Sequence, residues 1–116
     1  MPEPIIDPAT FAELQSSAGA EFTTELVDTF VAEAPGMLDA LRSALAQGDA
    51  DGFRRAAHSL KSNGQTFGAT QLGLLARELE LGGLLALGSA GSAALDRLTA
   101  AYEQAGAALK ALCHDQ

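Results

Sequence analysis

Between Phe53 and Phe67 the apolar and small residues Phe53, Ala56, Ala57, Leu60, Gly64 and Phe67 recur three and four positions apart. At about 100° per residue they fall on one side of a helix. Arg54, His58, Lys61, Ser62 and Gln65 gather on the other side. The same periodicity recurs along the chain. Alanine and leucine dominate, valine and isoleucine are few, and nothing reads as a strand. A sequence of this kind builds its core by packing helix on helix.

Asp7-Pro8 is a good helix start, with a capping residue followed by proline at the first helical position. A short first helix is expected over about Pro8 to Ser16, ending near Gly19. The second begins near Ala20 and runs towards Gln47, with Phe22, Leu26, Phe30, Met37, Leu41 and Leu45 as its buried stripe. Pro35 lies inside it and lacks a backbone donor, so a kink or break is expected there. Gly48 ends this helix, and Asp49 or Asp51 caps the next. The third runs from about Ala50 to Thr66, with Gly68 as its stop. The fourth spans about Ala69 to Leu81, with Leu72, Leu75, Ala76 and Leu79 facing inward. Gly82 to Gly91 reads as a glycine-rich loop, part of which packs through Leu84, Leu85 and Leu87. The fifth covers about Ser92 to Leu112, with Leu95, Leu98, Tyr102, Leu109 and Leu112 on its inner face. Short connections favour antiparallel neighbours. The expectation is an all-α chain: an up-down antiparallel four-helix bundle with a short extra N-terminal helix, forming one domain over residues 1–116.

Charge and composition narrow the function. Seven basic residues stand against fifteen acidic ones, a net charge of −8. Affinity for nucleic acid rests on neutralising phosphates, so nucleic acid is a poor partner. No apolar run approaches the roughly 20 residues of a membrane span. The start, Met1 to Pro4, lacks the basic and apolar regions of a signal peptide. A single cysteine, Cys113, cannot form an internal disulfide. A cytoplasmic chain is expected, independent rather than excised from a larger kinase.

Although basic residues are scarce, Arg54, Arg55 and Lys61 flank His58. A positive patch on an acidic protein suits a phosphate or an acidic protein surface. A lone helical histidine is most often a plain surface residue, and that reading stands beside the chemical one. A metal site fits poorly, because His58 is far from Cys113 and His114 and has no ligand one turn away. The nucleophile elbow of a hydrolase is absent, as are a nucleotide-binding glycine loop and its lysine. A neutral imidazole, by contrast, is a nucleophile near pH 7 that needs no adjacent base. It can take a phosphoryl group whose charge a cation then balances.

The stretch His58-Ser59-Leu60-Lys61-Ser62, with Gly68 ten residues after the histidine, resembles the signature of histidine phosphotransfer (HPt) domains. That signature reads His-x-x-Lys-Gly; Ser62 departs from it. The likeness extends to Phe30 through Leu41, Ala44 through Asp49 and Leu72 through Glu80. The resemblance implies the same bundle fold and a carrier that accepts phosphoryl on His58. The donor would be a receiver-domain aspartate or a histidine kinase, expected to be a hybrid kinase, and the acceptor another receiver. It implies that Glu80, 22 residues on, accepts the Nδ1 hydrogen of His58, with Glu78 as the local competitor. Lys61 would stabilise the phosphoryl charge, and Arg54, Ser62 and Gln65 would belong to the receiver interface. The carrier would be a monomer with no kinase activity and no cofactor of its own, Mg²⁺ being supplied by the receiver. The alternative is a non-catalytic helical module that docks a receiver without being phosphorylated.

Overall fold

A computed structural model of the chain describes residues 5–87 and 90–114. Five helices follow one another: α1 (Pro8–Ala18), α2 (Ala20–Gln47), α3 (Ala50–Phe67), α4 (Thr70–Leu87) and α5 (Gly91–His114). Helices α2 to α5 each pack on the next, and α5 closes the ring against α2. Helix α1 lies across α2 and α3. The architecture is the expected four-helix bundle with a short leading helix.

Local chemistry fixes the corners. Asp49 caps α3, its Oδ1 accepting from Gly52 N at 3.0 Å. Gly48 and Gly68 end α2 and α3 in the left-handed conformation, with φ of 69° and 78°. Gly68 also receives the N-terminal segment: Asp7 N donates to its carbonyl at 2.8 Å. A Cβ there would stand 3.0 Å from Asp7 O, so this glycine serves both the turn and the docking of α1.

The core is aliphatic and alanine-rich. Phe53, Leu60, Leu41, Leu72, Leu95, Leu98 and Leu109 are its largest fully buried members. Each stabilises the fold by roughly 1.5–3 kcal/mol through burial. Phe30 stands at the centre, with the Phe67 ring 5.2 Å away and Tyr102 edge-on at 5.7 Å.

Four expectations need correction. Helix α2 is unbroken through Pro35. Phe22 is 53 % exposed; Thr23 takes its place inside, its hydroxyl satisfied by Gly19 O at 2.7 Å. Leu112 is likewise exposed. The stretch from Gly82 is largely helix rather than loop: α4 continues to Leu87 across a break at Gly83, where φ is 73° and ψ 176°. Leu84 packs against the core as expected; the expected packing of Leu85 and Leu87 lies outside the described side chains.

Candidate functional site

The site follows from the register of α3 against α4. At their shared turn Gly64 is buried against the backbone of Gly73, and a Cβ on Gly64 would stand 3.0 Å from Gly73 N. Antiparallel helices brought this close keep their register for two further turns. His58, six residues before Gly64, therefore faces Glu80, seven residues after Gly73.

There His58 Nδ1 lies 2.6 Å from Glu80 Oε2. The other oxygen, Oε1, accepts from Lys61 Nζ at 2.7 Å. The His58 side chain is 60 % exposed, whereas those of Lys61 and Glu80 are only 19 % and 12 % exposed. The Lys61 hydrogen bond, followed by that to His58, holds the Glu80 carboxyl below the usual carboxylate range. An ionised carboxylate only accepts, so Nδ1 carries the hydrogen of this bond. In the neutral ring the lone pair is then on Nε2, the nitrogen away from Glu80. Glu78, the local competitor, is exposed and makes no such contact.

The remaining residues separate into those near the ring and those away from it. His58 sits in an open depression with Arg54, Arg55, Ser59, Glu80 and Leu81. Lys61 is not on its wall; its ammonium donates to Glu80 Oε1. Ser62 is exposed one turn beyond His58, outside the depression. Gln65 borders a different hollow, with Thr10, Gly68, Gly73, Leu74 and Arg77 beside the α3–α4 turn. Seven residues, about two turns, keep Gln65 on the same face of α3 as His58, so it is separated from the depression along the helix and not around it.

Two features went unread in the sequence. Asp51 binds both arginines, Arg54 Nη2 at 2.7 Å and Arg55 Nε at 3.6 Å, so the expected positive patch is partly neutralised at rest. Those arginines hold the Asp51 carboxyl below its ordinary range, the Arg54 hydrogen bond most of all. The i,i+3 and i,i+4 spacing of Asp51 to Arg54 and Arg55 was the available signal. The second is Leu81, 71 % exposed at the edge of the depression; at the end of the expected fourth helix, its position carries no periodic signal for a surface contact.

Among the described residues no helix is long and apolar enough to cross a membrane. No curated protein matches the chain. A solved structure does: the crystal structure of histidine-containing phosphotransfer protein B (HptB) from Pseudomonas aeruginosa PAO1. It superposes with a TM-score of 0.88 at 27 % sequence identity, over 99 % of each chain. Residues 25–108, which hold the whole His58–Lys61–Glu80 constellation, match the Hpt domain. The chain therefore belongs to the histidine phosphotransfer (Hpt) domain family, the phosphocarriers that work with receiver domains and histidine kinases in two-component signalling.

Proposed function

We propose that His58 is the phosphoacceptor of this carrier. The Nε2 lone pair attacks the phosphorus of a receiver's phosphoaspartate. The N–P bond forms, the P–O bond to the aspartyl carboxylate breaks, and the carboxylate leaves with its electron pair. The Nδ1 hydrogen stays in place, so the ring gains a positive charge during attack, and Glu80 sits 2.6 Å away to balance it. Reversal of the same step loads a second receiver. A histidine kinase, hybrid kinases included, supplies the first phosphoryl group of such a relay. Mg²⁺ belongs to the receiver, and this chain contributes no nucleotide chemistry of its own. The carrier acts as a monomer in the cytoplasm.

The observation that carries this reading is the Glu80 carboxylate shared between His58 Nδ1 and Lys61 Nζ. It fixes the tautomer with the nucleophilic nitrogen outward, on a side chain that is 60 % exposed. Lys61 acts first through Glu80, keeping it ionised and aimed. The direct role expected of Lys61, as a partner of the phosphoryl oxygens, requires it to leave that carboxylate.

The test is transfer from a phosphorylated receiver domain. Wild-type protein takes an acid-labile, alkali-stable label, and His58→Gln takes none while keeping its helical circular dichroism and melting temperature. Label that persists in His58→Gln, or moves to His114, overturns the assignment. A docking module without phosphotransfer separates cleanly here, since it binds the receiver and takes no label.

A further inference from the structure

A phosphoryl group on Nε2 lies on the side of the ring away from Glu80, and the cations of the site are unequally placed to meet it. Lys61 is committed to Glu80 Oε1, on the Nδ1 side. Helical side chains lean towards the helix N-terminus. The ring of His58 therefore overlies the turn that carries Arg54 and Arg55, and both arginines line its depression. Around the helix axis Arg54 is offset from His58 towards α4. It also borders the hollow formed with Glu80, Leu81 and Gly82. Arg55 is offset the other way and borders the groove between α2 and α3, beside Gly36 and Met37. Arg55 thus flanks the ring on the side opposite Glu80, one turn from His58 and within reach of a long side chain.

We propose that Arg55 is the counter-ion of the phosphoryl group on His58: on phosphorylation its guanidinium leaves Asp51 and binds the phosphoryl oxygens, while Lys61 stays on Glu80. The proposal rests on the carrier reading above. The resting contact is easily given up. Arg55 Nε stands 3.6 Å from Asp51, and the two side chains are 73 % and 62 % exposed. Exposed pairs of this kind hold weakly. A guanidinium on a phosphoryl group makes two parallel charge-assisted hydrogen bonds, the stronger arrangement. Asp51 then competes with the phosphoryl group for Arg55 and sets how much of the cation is available.

The experiment uses the full chain and phosphoramidate, a donor that needs no protein partner. Its P–N bond breaks and ammonia leaves as the Nε2–P bond forms. The readouts are the ³¹P chemical shift of the phosphohistidine and its hydrolytic half-life at fixed pH. Phosphoryl loss runs through a loose transition state driven by electron density on the phosphoryl oxygens, and a bound guanidinium withdraws that density. Arg55→Gln is therefore expected to move the ³¹P signal and shorten the half-life several-fold, with partial rescue by Arg55→Lys. Asp51→Asn is expected to lengthen it by about twofold or more. Lys61→Gln should change the ¹⁵N tautomer pattern of the resting ring and shorten the half-life less than Arg55→Gln does. If Arg55→Gln matches wild type in both readouts while Lys61→Gln reproduces the loss, Lys61 is the counter-ion and the proposal fails. If wild-type His58 takes no label from phosphoramidate or from a phosphorylated receiver domain, the carrier reading itself fails, before any arginine variant is compared.

Discussion

The hydroxyl of Tyr102 donates a 2.9 Å hydrogen bond to the carbonyl oxygen of Val31, the oxygen that Pro35 leaves without its helical N–H partner. A proline in a helix interior removes the bond to the residue four back. Here α5 supplies the missing donor from the side, and α2 continues unbroken. Tyr102 is 8 % exposed. Burial, with Glu103 as a lesser cause, pushes its hydroxyl above the ordinary value of 10.0, which keeps it protonated as a donor.

Tyr102→Phe should therefore destabilise the bundle by about 1–3 kcal/mol, the cost of an unsatisfied carbonyl. Pro35→Ala returns a backbone N–H to Val31. In that background Tyr102→Phe should cost measurably less. Urea unfolding of the two single variants and the double variant reads the coupling, and equal costs in both backgrounds would show that the proline and the tyrosine act independently. The pH dependence has a definite sign. Folding favours the neutral phenol, so its contribution is fully present below pH 10.0 and is lost as pH rises through the higher folded value. Tyr102→Phe should lack that alkaline loss.

This relationship also marks where the sequence stopped being legible. Helix periodicity, caps and glycine stops gave the number and order of helices, and the 22-residue spacing placed Glu80 opposite His58. These signals are local, or carried by a family signature. The Tyr102–Val31 bond joins residues 71 apart and repairs a defect that local rules read as a break. Thr23 stands inside where Phe22 was expected, because a threonine hydroxyl can satisfy itself on Gly19 O, which hydrophobicity alone does not score. At the site, the residues on the polar face of α3 were readable from the helical wheel. Whether each turned to solvent or to a neighbour was not: Lys61 chose Glu80, and both arginines chose Asp51.

The close approach that sets the site makes an asymmetric prediction. A Cβ on Gly64 would meet backbone atoms of Gly73 at 3.0 and 3.1 Å, and backbone cannot swing away. A Cβ on Gly73 would meet nothing nearer than Gln65 Cγ at 3.6 Å. Gly64→Ala should cost about 1–3 kcal/mol through overpacking and lengthen the His58–Glu80 contact two turns away. Gly73→Ala should be neutral or stabilising by up to about 1 kcal/mol, from helix propensity. Thermal melts check the first effect and the ¹⁵N pattern of His58 the second. Equal melting of the two variants would contradict this account of the register.

Glu80 carries a pH signature of its own. Its folded value is held below 4.5, first by Lys61 and then by His58. A lowered folded value gives stability that is fully present above the unfolded value and lost as pH falls through the folded one. The melting difference between wild type and Glu80→Gln should therefore be constant above about pH 5 and shrink as the solution is acidified below it. In the same variant, phosphoramidate labelling of His58 should slow, because a neutral amide no longer balances the ring during attack. A melting difference that instead grows on acidification would mean that Glu80 is not the ionised partner in the folded protein.

Ser62 offers the sharpest test of how a receiver approaches. It is exposed, one turn beyond His58, and stands where the family signature has glycine. It does not line the depression that holds the ring, so a larger side chain there should leave small donors free to reach Nε2. A receiver is different, because in the docking expected of it, its surface must lie against α3 for its phosphoaspartate to reach the ring. Ser62→Gln should thus keep phosphoramidate labelling near the wild-type rate while slowing transfer from a phosphorylated receiver domain at least tenfold. Ser62→Gly should match or exceed wild type in both assays. Labelling lost with both donors would mean that the larger side chain has disturbed the ring itself. Transfer retained with both would mean that the receiver does not cover this turn of α3, and Ser62 would have to be removed from the interface.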